Sequence, residues 1–167
     1  PNGDVYACVD EGNIYKRTGG VGSFVSLGQE VRRWNSMGAA PNGDVYATVS
    51  FIDGVYAGDI YIRAGGVGDF VSLGAAVPEA NWFHIAVAPN GDVYAGTHDI
   101  GASVNTIYKR TGGVGNFVSI SQPIQPLNGL TATKRGNIYA CTGNIVGNVF
   151  KQSYGAGDFL VFDVENI

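Results

Sequence analysis

Short runs in which apolar residues alternate with their neighbours are spread along the whole chain. In the first run Val5, Ala7 and Val9 alternate with Tyr6 and Cys8, so both faces of the run are apolar. A period of two residues is typical of a β-strand, and two apolar faces indicate a strand that is covered on both sides. Gly or Pro interrupts every window that is long enough for a helix. The pattern therefore predicts an all-β protein.

Two sequence blocks repeat in phase along the chain. The Gly of the first block stands at positions 3, 43, 91 and 136, so that its copies are spaced by 40, 48 and 45 residues. This spacing is typical of the four-stranded blades of a β-propeller. The first block reads PNGDVYA at 1–7, 41–47 and 89–95 and KRGNIYA at 134–140; the second begins IYKRTGG at 14 and recurs from 60, 107 and 149.

Each full copy predicts four antiparallel strands, which in the second copy span 34–40, 44–49, 59–63 and 69–73 and are called A to D. Between A and B, Pro-Asn-Gly predicts a tight turn, because Pro presets its own φ and Gly supplies the positive φ that lets strand B return. A Gly-rich segment predicts a second reversal between C and D. The sequence thus predicts one β-propeller domain over 1–167, with repeat units of about 1–33, 34–81, 82–126 and 127–167.

The first copy begins at the turn that precedes strand B, so its innermost strand A is expected to be missing. The last copy ends at 164–167, where a further strand A would begin. Two explanations remain open. The chain is an excerpt of a longer array, or another subunit fills the gap and makes a homo-oligomer or polymer through β-augmentation.

Loop lengths differ between the two ends of the blades. The aromatic residue of strand C and the Phe of strand D are nine residues apart in all four copies, whereas the tyrosine of strand B and the aromatic residue of strand C are 9, 15, 14 and 11 residues apart. The A–B and C–D turns share one end of an up-and-down sheet, here called the fixed end. The opposite, variable end carries the differences in length, so we expect function there.

The pattern Pro-Asn-Gly-x-Val-Tyr-Ala followed by Ile-Tyr-Lys resembles the repeat of tachylectin-2-type lectins, which are five-bladed propellers. The similarity covers strands A to C of each copy. This chain differs in its C–D segment, in having four copies, and in its unequal B–C loops. The resemblance implies a propeller fold and carbohydrate binding. The shared residues belong to turns and packing, so no binding residue is carried over.

Composition narrows the range of functions. The 167 residues have a formal net charge of -4 without a basic cluster, which argues against binding to nucleic acid. No apolar run approaches the roughly 20 residues that a membrane-spanning helix needs. We therefore expect glycans or other copies of the chain as partners.

Candidate binding residues lie at or near the variable end. Arg32, Arg33 and Trp34 enter one strand A and Trp82 enters the next, so that aromatic rings beside polar groups predict sugar-binding pockets. His84 lies on that second strand, and His98 and Asp99 lie in a long B–C loop. These histidines lack a third ligand at a recognisable spacing, so we predict no metal and no cofactor. No nucleophile–base arrangement is visible, so we predict no catalytic residue and no enzyme.

The sequence favours a non-catalytic scaffold or recognition module in an extracellular, virion-surface or filamentous assembly that is completed by strand sharing between subunits. The alternative is a multivalent carbohydrate-binding lectin with sites between the blades. Both hypotheses predict an extracellular or surface-associated protein.

Overall fold

A computed structural model describes residues 3–50, 58–78, 80–98, 106–120, 127–143 and 148–162. In these segments fifteen strands form four antiparallel sheets, here called blades 1 to 4, and no α-helix occurs. The sheets confirm the all-β prediction. The strands are β1 (Val5–Cys8), β2 (Ile14–Arg17) and β3 (Val25–Ser26) in blade 1; β4 (Trp34–Ala39), β5 (Val45–Val49), β6 (Asp59–Arg63) and β7 (Val71–Ser72) in blade 2; β8 (Trp82–Val87), β9 (Val93–Thr97), β10 (Ile107–Arg110) and β11 (Val118–Ser119) in blade 3; and β12 (Leu127–Ala132), β13 (Ile138–Thr142), β14 (Val149–Gln152) and β15 (Leu160–Phe162) in blade 4.

Strands pair in chain order within each blade. Blades 2, 3 and 4 have four strands, whereas blade 1 has three in the order β1-β2-β3. In blade 2 the register places Val45 opposite Arg63 and Tyr46 opposite Ile62, and in blade 1 Val5 lies opposite Arg17 in the same way. The predicted strands A, B and C of blade 2 agree with β4, β5 and β6 to within one residue at each end.

Strand D is shorter than predicted. β7 begins at Val71 because the preceding Phe70 turns into the core, where only 8% of it is exposed. The backbone N–H of Phe70 donates to the Oε1 atom of Gln29 at 2.9 Å rather than to a neighbouring strand. The side chain that marks strand D in the repeat therefore ends the ladder instead of extending it.

The turns at the fixed end have the backbone conformation that their sequence predicts. Gly43 has a φ of 93°, in the left-handed region that glycine adopts without steric cost. The Asn42 Oδ1 atom accepts a hydrogen bond from the N–H of Asp44 at 3.1 Å, which closes the turn. Between strands C and D the chain makes a single 3₁₀ turn at Ala64–Gly66.

The chain divides into two compact units, Pro1–Phe83 and His84–Ile167. In the first unit a core joins Ile14 of blade 1 to Trp34, Val45 and Val49 of blade 2. In the second unit Tyr94 and Ile107 of blade 3 pack with blade 4 residues. No helix among the described residues is long and apolar enough to cross a membrane. The extent of one domain over 1–167 stays a prediction.

Candidate functional site

Both tryptophans of the predicted sugar-binding pockets are buried. Trp34 is 2% exposed and Trp82 is 0% exposed. The Trp34 ring packs edge-on against Tyr61, with ring centroids 5.1 Å apart, and at 5.9 Å from Phe70. Its indole N–H donates to the Glu30 carbonyl at 3.3 Å. The structure thus gives the Trp34 ring packing contacts in the core and buries the Trp82 ring, and ligand binding by them stays a prediction.

Arg32 and Arg33 lie beside Trp34 in the first unit, and each contacts a carboxylate. Arg32 pairs with Glu30, and its guanidinium lies 5.1 Å from the centroid of the Tyr61 ring. Arg33 pairs with Glu11, a residue of the loop between β1 and β2. These two arginines therefore connect the start of β4 with its neighbours at the variable end.

His84 and His98 are brought together in the second unit. The Nε2 atom of His84 lies 2.9 Å from the Leu127 carbonyl oxygen, and the Nδ1 atom of His98 lies 3.0 Å from the same oxygen. Because a carbonyl only accepts, each ring donates an N–H to it. Burial lowers the pKa of His84, the Leu127 carbonyl opposes this shift, and His98 adds to it. His84 is therefore neutral at pH 7.

Asp99, which was predicted as a binding residue together with His84 and His98, lies outside the described residues. Within the described part of the chain no group of three or more His, Cys, Asp and Glu side chains is placed to hold a metal ion.

Sequence reasoning missed the role of the fourth residue of the repeat. In blades 1, 2 and 3 the Oδ1 atom of Asp4, Asp44 or Asp92 accepts a hydrogen bond at 2.7 Å from the N–H of the second residue of the C–D turn. In blade 4 Asn137 accepts the corresponding bond from Tyr154 at 3.2 Å. This side chain therefore ties the two turns of the fixed end together. The recurrence of an Asp directly after the Pro-Asn-Gly turn was the sequence signal that could have revealed this role.

Two of these aspartates also pair with a lysine of strand C. Lys16 lies 2.5 Å from Asp4, and Lys109 lies 2.7 Å from Asp92. Burial by itself raises the pKa of Asp92, but Lys109, the N–H of Gly112 and Asn90 outweigh it and lower that pKa below its ordinary value. The hydrogen bond to Asp4 raises the pKa of Lys16. Asp92 and both lysines are therefore charged at pH 7.

A cavity of about 230 Å³ opens at the fixed end of the first unit. Tyr6 and Asp4 of blade 1 line it together with residues of blade 2 that include Pro41, Asn42 and Gly66. Its volume is below the 300–1,000 Å³ of most drug-sized sites. The sequence placed binding at the opposite end.

The blades also differ in how their faces are covered. Strand B of the repeat is β1, β5, β9 and β13 in blades 1 to 4. We call the side of this strand that carries Val5, Ala7 and Val9 or their equivalents the front face, and the side that carries Tyr6 and Cys8 or their equivalents the rear face. In blade 1 Val5 and Val9 are 45% and 46% exposed, whereas their blade 2 equivalents Val45 and Val49 are 2% and 0% exposed. The front face of blade 1 is therefore an exposed apolar surface.

The described residues of the chain resemble solved structures in fold. A gluconolactonase from Xanthomonas campestris is 13% identical with a TM-score of 0.62, and the match covers 91% of this chain and 55% of that one. YCF48 bound to a D1 peptide is 14% identical with a TM-score of 0.64 (99% and 51%), and a putative TolB from Agrobacterium tumefaciens is 13% identical with a TM-score of 0.65 (89% and 54%). The chain spans about half the length of these structures. No protein-family model and no curated protein matches it.

These propeller-fold neighbours and the four antiparallel sheets show that the chain is a β-propeller protein. The prediction that the chain is not an enzyme, which was made from the lack of a visible nucleophile–base arrangement, is contradicted, because a gluconolactonase is among the structures that share the fold. At 13% identity the likeness shows the fold alone.

Proposed function

We propose that the chain is a β-propeller recognition and assembly module whose blade 1 accepts a protein partner. The observation that carries this proposal is the exposed front face of blade 1, where Val5 and Val9 lie open while Val45 and Val49 are buried. Burying the rest of two such valines contributes roughly 1 kcal/mol each. An extracellular, virion-surface or filamentous setting for this assembly is part of the proposal and rests on the sequence.

The backbone of blade 1 supports the same proposal. β5 pairs with β4 on one side and β6 on the other, whereas among the described residues β1 pairs with β2 alone. A strand edge with open N–H and C=O groups is a template for pairing with another chain. Strand sharing would use the open edge of β1 and docking would use its front face, so the two would act on adjoining surfaces of the same strand.

Val9→Asp tests this assembly. A carboxylate buried in an apolar interface without a partner costs several kcal/mol, so we expect association of the chain to weaken at least tenfold. Analytical ultracentrifugation over a concentration series measures it. The matched control is Val71→Asp, which changes an exposed valine of β7 on another surface and should leave association unchanged. A monomeric wild-type chain at every concentration would contradict the proposal.

A second candidate function is carbohydrate binding, which the resemblance to tachylectin-2-type lectins implies. The cavity beside Tyr6 and Asn42 favours it, because a sugar ring presents an apolar face to an aromatic ring and hydroxyls to amide and carboxylate groups. This candidate assigns the site to the fixed end of blades 1 and 2.

Asn42→Ala tests the carbohydrate site. The substitution removes an amide from the wall of the cavity, and we expect at least a tenfold loss of affinity for a bound monosaccharide, measured by calorimetry after a screen of simple sugars. Asn90→Ala is the matched control, since Asn90 makes the same hydrogen bonds to Asp92 that Asn42 makes to Asp44. Equal losses in both variants, or no binding by the wild type, would argue against this site.

A further inference from the structure

Blades 1 and 2 show which surface covers a front face. The half-buried side chains of Tyr6 and Cys8, on the rear face of blade 1, pack against a core that contains Val45, Ala47 and Val49, the front face of blade 2. In the second unit Tyr94 of blade 3 packs in the same cluster as Ile138 and Ala140 of blade 4. In both units a rear-face tyrosine thus packs against the front face of the following blade.

The residue types that form the contact between blades 1 and 2 recur on two other faces of the chain. Val5, Ala7 and Val9 on the front of blade 1 are the same residue types as Val45, Ala47 and Val49. The rear face of blade 4 carries Tyr139 and Cys141, the same pair as Tyr6 and Cys8. At the position of Cys8 the other two blades have Thr48 and Gly96, so the Tyr-x-Cys rear face is particular to blades 1 and 4.

Three of these side chains are more exposed than their counterparts in the contact between blades 1 and 2. Cys141 is exposed, whereas Cys8 is half-buried against blade 2, and the tyrosines Tyr139 and Tyr6 are both half-buried. Val5 and Val9 are about half exposed, whereas Val45 and Val49 are buried. The chain therefore displays both halves of an interface whose packing the first unit already demonstrates.

We propose that the front face of blade 1 binds the rear face of blade 4 of a second copy of this chain, head to tail. This proposal rests on the proposed function, because it names the partner for the blade 1 surface. The contact is heterologous, so it uses two different surfaces of each copy.

Cross-linking tests which surfaces meet. In a Cys8→Ala background the only native thiol is Cys141, and Val9→Cys adds a second one on the front face of blade 1. Treatment with a short bismaleimide should give a covalent species of two or more chains in high yield. Cys8→Ala alone, and Cys8→Ala with Val71→Cys, are the controls, and both should stay largely uncross-linked because Val71 lies on the outer strand of blade 2.

A second variant avoids any dependence on the front-face substitutions. Cys141→Arg adds a bulky charge at an exposed position, so the fold should be retained, as circular dichroism would show. We expect it to weaken association at least tenfold, as Val9→Asp does. The outcomes separate the two proposals. Association that is sensitive to Val9→Asp but not to Cys141→Arg would overturn the rear face of blade 4 as the docking surface and leave the blade 1 surface in place. A cross-link confined to one chain would overturn the contact between two copies. A wild-type chain that never associates would overturn both.

Discussion

Replacing Trp34 with Ala is expected to lower the free energy of unfolding by about 3–5 kcal/mol, the usual cost of removing a large aromatic side chain from a core. Trp34 is 2% exposed and packs against Tyr61 and Phe70. Its removal leaves a cavity that these two rings cannot both fill, because each is held by its own strand or turn. Urea denaturation followed by circular dichroism measures the effect.

Trp34→Phe is the matched comparison, since it keeps an aromatic ring in contact with Tyr61 and should cost clearly less than Trp34→Ala. The same pair of variants separates packing from ligand binding. If Trp34→Ala keeps the wild-type urea midpoint of unfolding but loses affinity for a sugar, the ring binds a ligand and does not stabilise the core. That result would contradict the packing role. A loss of stability with unchanged binding supports the packing role.

Replacing Asp92 with Ala is expected to cost about 2–3 kcal/mol. The substitution removes the acceptor for the N–H of Gly112 and for Lys109, at 2.7 Å each, and leaves the ammonium of Lys109 without its carboxylate. Breaking a fully buried pair costs 3–5 kcal/mol, and we expect less here because 19% of the Lys109 side chain reaches water. Thermal or urea unfolding followed by circular dichroism at pH 7 provides the measurement.

The pH dependence of the free energy of unfolding provides a second test of this prediction. The pKa of Asp92 is lowered in the folded protein, so its contribution to stability is present above its unfolded value of about 3.9 and is lost as the pH falls through the lower folded value. Asp92→Ala should therefore show a smaller loss of stability than the wild type over that acid range. Asp92→Asn, which copies Asn137 of blade 4, keeps an acceptor for the turn, so its stability at pH 7 should lie between those of the wild type and Asp92→Ala. Its loss of stability in acid should match that of Asp92→Ala, because neither side chain ionises. An Asp92→Ala variant with wild-type stability at pH 7 would contradict the assigned role.

Much of the fold is predictable because its signals are local. The limits of β4, β5 and β6 follow from alternating side chains between turn residues, and Gly43 takes the positive φ that its turn requires. The short β7 was not predictable in this way. It depends on Phe70 meeting Gln29, a residue 41 positions earlier in the chain, which no local pattern records.

The candidate sites were less predictable than the fold. Trp34 and Arg32 are near one another, as their spacing indicates, but only packing decides that the ring is buried while the guanidinium contacts Glu30. The approach of His84 and His98 to one carbonyl depends on where β12 begins. The cavity at the fixed end depends on the distance between two blades, which a sequence block within one blade does not contain.

The sequence by itself determined the repeat, the blade that each repeat builds and the turns at the fixed end, because turn chemistry and alternation act over a few residues. Only the tertiary structure decided which copies of one face are covered. Strand B carries Val, Ala and Val on its front face in both blade 1 and blade 2. Yet Val5 and Val9 of blade 1 are about half exposed, whereas Val45 and Val49 of blade 2 are buried. Burial is a property of what packs against a strand, and for Val45 and Val49 that is the rear face of blade 1.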